Sequence, residues 1–144
     1  MGLFNVFSKP KREKPLVLHI DDDEINRVLV EETLIKIELD VIGASNAPDG
    51  IQMALKEMPD LILLDIEMPG MSGFEACTAI KTNPKLVNIP VLMLTGLGKV
   101  KSVEKALSCG ANGYISKPFD LNRLCATARK WIEKPDQGAA PQQK

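Results

Sequence analysis

Four apolar runs in this chain end on residues that can do chemistry. Leu61-Ile62-Leu63-Leu64 runs into Asp65, with Pro69 and Gly70 close behind. Leu16-Val17-Leu18-His19-Ile20 runs into Asp21-Asp22-Asp23. Ile89 to Leu94 leads to Thr95 and Gly96, and Gly113-Tyr114-Ile115-Ser116 leads to Lys117 and Pro118. A buried strand does not place a carboxylate at its tip for packing, because burying an unpaired charge is costly. Taken alone, Asp65 could be a turn residue, a role Asp often fills. The company of the other tips argues for more. Three carboxylates gathered together repel one another and need a cation. An all-oxygen set with positions left for water and a substrate phosphate suits Mg2+, or Mn2+. Lys117 adds a positive charge, and the Thr95 hydroxyl can donate to an anionic oxygen. These are the parts for moving a phosphoryl group onto a carboxylate, where positioning and charge neutralisation supply most of the catalysis.

The elements that must position these groups are legible in the pattern. A short continuous apolar run bounded by turn residues suits a strand buried on both faces. Strands are expected at 16–20, 41–44, 61–64, 89–95 and 113–116. Between them lie helical patterns. The first opens at Asp22 or Asp23 as N-cap, with acids at its positive end and Ile25, Val28, Leu29 and Ile35 on its apolar side. The second starts at Asn46-Ala47-Pro48, carries Ile51, Ala54, Leu55 and Met58 inward, and ends at Pro59. Phe74, Cys77 and Ile80 mark a short third helix that stops before Pro84. Val100, Val103 and Leu107 mark the buried side of a fourth, closed by Gly110. Leu121, Leu124, Cys125, Ala128 and Ile132 face inward on a fifth. Trp131 is expected to pack partly against the body with its N–H wet. Strictly alternating strands and helices imply a doubly wound α/β fold, a parallel sheet with helices on both faces joined by right-handed crossovers. All four chemical tips then fall at strand carboxyl ends, the edge where such sheets bind ligands.

Composition bounds the rest. A chain of 144 residues, 44% hydrophobic, fits one domain (16–133) with an extension at 1–15 and a tail at 134–144. The tail is rich in Pro, Gln, Gly and Ala and reads as disordered. In the extension, Leu3, Phe4, Val6 and Phe7 precede Lys9, Lys11, Arg12 and Lys14. This suits weak docking of residues 1–14 to a partner or to an anionic membrane, or else a frayed terminus. A net charge of -1 offers no nucleic-acid footprint. Cys77, Cys109 and Cys125 form no CxxC pair, which points to a reducing compartment and a cytoplasmic location. The only histidine, His19, has no companion metal ligand and reads as structural.

Four stretches together carry a resemblance: Ile20-Asp21-Asp22-Asp23, Leu64-Asp65-Ile66-Glu67-Met68-Pro69-Gly70-Met71-Ser72-Gly73, Leu94-Thr95-Gly96 and Tyr114-Ile115-Ser116-Lys117-Pro118-Phe119. In order, strand context and spacing the chain resembles the receiver domain of two-component response regulators, of the stand-alone CheY-like type, over roughly residues 15–133. The resemblance implies a flavodoxin/CheY-like (βα)5 fold with strand order 2-1-3-4-5. It implies that Asp65 accepts a phosphoryl group from a histidine kinase or histidine phosphotransfer protein. It implies Mg2+ held by Asp22, Asp65 and the backbone carbonyl of Glu67, with Asp21 acting through water. Lys117 would pair with Asp65 or the phosphoryl oxygens, Thr95 would turn toward the phosphoryl group, and Tyr114 would move in behind it. Gly96 leaves space above the site, and the Lys117-Pro118 bond is expected cis. A downstream protein target would be met through the face built from the fourth helix, fifth strand and last helix. Lys99, Lys101 and Lys105 give that fourth helix a basic side, and Glu67 and Leu97 stand where the family tunes hydrolysis of the acyl phosphate. The resemblance implies self-phosphorylation and autodephosphorylation only, without enzymatic turnover of other substrates. A place as an intermediate in a phosphorelay stays open beside terminal output, and three other readings compete. An aspartyl phosphatase would open with D-x-D at its first strand and add a cap domain. A P-loop enzyme would carry GxxxxGK[ST], which is missing. A phosphate-independent interaction module would not need every acidic, hydroxyl and lysine position filled.

Overall fold

A computed structural model of the chain describes residues 10–96 and 100–133, the side chains of 100–102 excepted. The apolar cluster at 3–7, Lys9, Leu97, Lys99, the side chains of Val100 and Lys101, and the tail from 134 lie outside the described residues. The elements alternate strictly: β1 (Leu16–Ile20), α1 (Glu24–Ile35), β2 (Asp40–Ala44), α2 (Ala47–Glu57), β3 (Leu61–Asp65), α3 (Gly73–Lys81), β4 (Val91–Gly96), α4 (Val100–Ser108), β5 (Gly113–Lys117) and α5 (Leu121–Glu133). Every strand pair is parallel, in the order β2-β1-β3-β4-β5. The central strands are the continuous apolar runs, and Leu61, Ile62, Leu63 and Leu64 have no exposed surface. Each such side chain contributes about 1.5–3 kcal/mol relative to exposure.

The period of two along each strand divides the core between the faces. Leu18, Ile20, Ile62, Leu64, Val91 and Met93 pack toward α2, α3 and α4, with Ala54, Ala76, Ile80 and Ala106 above them. Val17, Leu61, Leu63, Leu92 and Leu94 pack toward α1 and α5, against Val30, Leu34, Leu124, Ala128 and Trp131.

Helix starts follow their caps. The Asp23 carboxylate accepts from the Ile25 N–H, Asn46 caps α2, and Ser72 and Glu75 form a reciprocal capping box on α3. At the other end of α2, Met58 takes the left-handed conformation (φ 50°) usually given to glycine. The Arg12 guanidinium donates to the Glu57 and Met58 carbonyls there. Residues 14–16 are held nearby, since Pro15 O accepts from Asp40 N–H at 2.9 Å and Leu16 N–H donates to Asp60 at 2.8 Å.

Helix faces differ from expectation in three places. On α1 the buried residues are Val30 and Leu34, while Ile25 (78%), Val28, Leu29 and Ile35 are exposed. The helix is apolar on two sides, and the packing of the α1/α5 layer chose the other one. On α4, Ala106 is fully buried and Leu107 exposed, because a small side chain permits close approach to the sheet. On α5, Leu121 is exposed and Trp131 only 8% exposed, more enclosed than its amphipathic character suggested.

Candidate functional site

Register brings the chemical residues to one edge. Ile20 pairs with Leu64, so Asp21 and Asp65 follow side by side on β1 and β3. Asp65 pairs with Leu94, placing Thr95 one residue beyond. Gly96 pairs with Lys117 across β4 and β5. The chain leaves β1 toward opposite sides of the sheet, β2 on one flank and β3 on the other, and the crevice at that switch point is the binding place of open α/β sheets.

Carboxylate oxygens of Asp21, Asp22 and Asp65 lie within 4.8 Å of one another. Asp21 is fully buried, Asp65 nearly so at 4%, and Asp22 faces solvent. Lys117 Nζ donates to Asp65 Oδ1 at 3.0 Å and lies 3.5 Å from Asp21 Oδ2. Asp65 Oδ1 also accepts from the Glu67 N–H at 3.3 Å. Asp21 Oδ1 accepts from the Asp23 N–H at 2.9 Å. Around its Oδ2 stand Asn26 Nδ2 at 3.4 Å and His19 Nε2 at 3.4 Å. Arg27 Nη1 donates to the Asp21 carbonyl at 2.6 Å, tying α1 to the tip of β1.

The electrostatics follow from crowding. Burial, with the neighbouring Asp21 charge, pushes the Asp65 carboxyl up to about 6 despite Lys117 and the Glu67 amide. Burial would raise Asp21 too, but the His19 ring, the Asp23 amide and the Lys117 charge bring it down to about 2. Burial works against the Lys117 ammonium, yet the two carboxylates hold its pKa above the ordinary lysine value. One cation therefore serves two buried acids, and the acid with fewer donors takes up a proton more readily. Hard oxygen donors at this spacing fit Mg2+ or Mn2+, and a divalent charge relieves the repulsion that raises Asp65.

The other expected residues fall as follows. Thr95 is 3% exposed, and among the described residues its hydroxyl has only a 3.5 Å contact with the Gly96 carbonyl. Tyr114 is turned out, 44% exposed. The Lys117-Pro118 bond is cis. Lys105 stands over the Phe74 ring at 4.6 Å, so it links α4 to α3 rather than extending a purely solvated basic side. Sequence reasoning missed Asn26 and Arg27, and it placed Gly73 at the end of the strand-three motif without giving it a role. A Cβ on Gly73 would lie 2.3 Å from the Asp65 carbonyl and 2.6 Å from Ile66 Cα. Only glycine lets α3 begin directly against the tip of β3, and its N–H closes the loop onto the Ile66 carbonyl at 3.0 Å. A glycine at the first position of a helix, eight residues after a strand-tip acid, was the available signal.

Comparison with known proteins agrees with this geometry. The response regulator receiver domain family matches residues 17–129. The chain is 35% identical over 123 residues to the DNA-binding dual master transcriptional regulator RpaA of Synechocystis sp., covering 85% of this chain and 51% of that one. It is 37% identical over 113 residues to the response regulator PleD of Caulobacter vibrioides, covering 78% of this chain and 25% of that one. The chain thus spans about half or less of the length of these relatives. Among solved structures, the chemotaxis protein CheY4 of Vibrio cholerae superposes with a TM-score of 0.77 at 30% identity, covering 81% of this chain and 98% of that one. A response regulator from Chloroflexus aurantiacus superposes with a TM-score of 0.81 at 26% identity, covering 84% and 99%. No helix among the described residues is long and apolar enough to cross a membrane. With the acidic cluster, the lysine and the hydroxyl all at the tips where this fold gathers ligands, the chain belongs to the response regulator receiver domain family of two-component systems.

Proposed function

We propose that the domain is a phosphorylation-dependent switch, with Asp65 as acceptor and a histidine kinase or histidine phosphotransfer protein as donor. The observation that carries this reading is Asp65 set beside Asp21, Asp22 and Lys117 at one sheet edge. Asp22, Asp65 and the Glu67 carbonyl would hold Mg2+, with Asp21 acting through water. When bound, the ion supplies charge neutralisation to the phosphoryl oxygens.

The remaining work belongs to the chain. Lys117 and the Glu67 amide engage Asp65 Oδ1, which leaves Oδ2 as the oxygen we assign to attack. A bond forms from that oxygen to phosphorus while the P–N bond of the donor phosphohistidine breaks, and the departing imidazole takes up a proton. The product carries about -1.5 to -2 charges and new acceptor oxygens. Lys117 can follow those oxygens, and the poorly bonded Thr95 hydroxyl can rotate toward them. Tyr114, now outward, can then close over the vacated space. These shifts change the surface of α4, β5 and α5, and the affinity for a downstream protein changes with it as a population shift. The exposed apolar strip of Ile25, Val28 and Leu29 on α1, next to the Asn26 that reaches Asp21, suits docking of the phosphodonor. The domain's own chemistry is limited to accepting and losing the phosphoryl group.

Incubation with labelled acetyl phosphate and Mg2+ tests the reading. Wild type should take up label that Asp65→Asn does not. An unlabelled wild type would instead favour a phosphate-independent interaction module.

A further inference from the structure

His19 is fully buried, and among the described residues neither ring nitrogen makes a well-aligned hydrogen bond, Nε2 only reaching Asp21 Oδ2 in a long contact. An unsatisfied buried polar group of this kind costs about 1–3 kcal/mol. Valine or isoleucine would fill a strand site between Leu18 and Ile20 without that cost. Strand alternation puts His19 on the same side of β1 as Val17 and Asp21, and the ring stands with Nε2 3.4 Å from Asp21 Oδ2. The same oxygen faces Asn26 Nδ2 and Lys117 Nζ.

We propose that His19 is a positioning residue for the metal site, its Nε2–H directed at Asp21 Oδ2 so that this carboxylate is held in the orientation needed to ligate Mg2+ through water. The inference rests on the metal-binding reading of the Asp21, Asp22 and Asp65 cluster. Residues that orient a ligand in this way typically contribute 10–100-fold to metal affinity. The neutral ring suffices, since it needs only one N–H, so the proposal requires no charge on the histidine.

Glutamine and methionine match in length and differ in having an amide N–H at the position of Nε2. Mg2+ titrations of metal-free wild type, H19Q and H19M, followed by backbone amide shifts in NMR spectra, therefore isolate the donor. H19M should bind Mg2+ about 10-fold or more weakly, H19Q should stay within about 3-fold of wild type, and the metal-free thermal midpoint of H19M should be equal or higher. Equal affinities for H19M and wild type overturn the proposal, as does H19Q binding as weakly as H19M. If H19M does not fold, H19V takes its place with the same two outcomes. Failure of the wild type itself to bind Mg2+ overturns the metal reading and this inference together, whereas normal wild-type binding with an unaffected H19M overturns this inference alone.

Discussion

Asp65 sits in a place that is costly for an ionised acid, so its replacement by asparagine should stabilise the metal-free domain. Asparagine copies the protonated carboxyl in shape and still offers Lys117 an oxygen. Folding raises the Asp65 pKa from 3.8 to about 6, chiefly through burial and then through the Asp21 charge. The folded state therefore holds this proton more tightly than the unfolded chain. Below about pH 4 both states are protonated and the group is neutral toward stability. Between pH 3.8 and about 6 the unfolded chain has released its proton while the folded state still holds it, so stability falls across that window and levels off above it. At about 1.4 kcal/mol per pH unit the full difference is about 3 kcal/mol. Relaxation and water entry reduce it, so a gain of about 1–3 kcal/mol is expected at pH 7.5. Urea unfolding of wild type and D65N in chelator, at pH 4 and pH 7.5, measures it. The gap should be near zero at the lower pH and open at the higher one. Added Mg2+ should stabilise wild type more than D65N and narrow the gap. A D65N protein no more stable than wild type at pH 7.5 without metal, or a gap independent of pH, would refute the account of crowded carboxylates.

Three further outcomes follow from the same geometry. Leu34→Ala, at a fully buried position of α1, should cost about 2–5 kcal/mol, while Leu29→Ala, on the exposed side, should cost less than about 1 kcal/mol; thermal or urea unfolding compares them, and equal costs would contradict the packing of α1. Gly73→Ala forces a methyl into the Asp65 carbonyl, so it should lower stability by about 1–3 kcal/mol and slow labelling by acetyl phosphate. Labelling of wild type at limiting Mg2+ should fall as pH drops below 6, because the attacking carboxylate, raised to about 6, becomes protonated; a rate flat from pH 7.5 to 5 would show that Asp65 stays ionised.

The strands and their tips were readable because short apolar runs bounded by turn residues alternated with helical patterns, an order that leaves one placement for the run ending on Asp65 and for its neighbours. Helix faces were less readable. On α1, Ile25, Val28 and Leu29 fit the helical period as well as Val30 and Leu34 do, and only the partner surface distinguishes them. On α4, apolar volume favoured Leu107, whereas a close approach to the sheet wanted the small Ala106. Within the site, the carboxylates, Thr95 and Lys117 announced themselves by type. His19 did not, because a single histidine carries no spacing of its own. Its position two residues before Asp21 on a strand, hence on one face with it, was the clue available. Arg27 and Asn26 depended on how α1 turns over the tip of β1, which their residue types do not encode.

The clasp of Arg12 on the last carbonyls of α2 has a practical corollary. The polypeptide joins the body at the amino-terminal rim of the sheet, where Pro15 meets Asp40, and Asp65 stands at the opposite rim, about 17 Å away along a five-residue strand. A fluorophore, affinity handle or sensor chip attached at the exposed Pro10 therefore holds the domain by its heel, with the edge that carries the acceptor aspartate on the far side of the sheet.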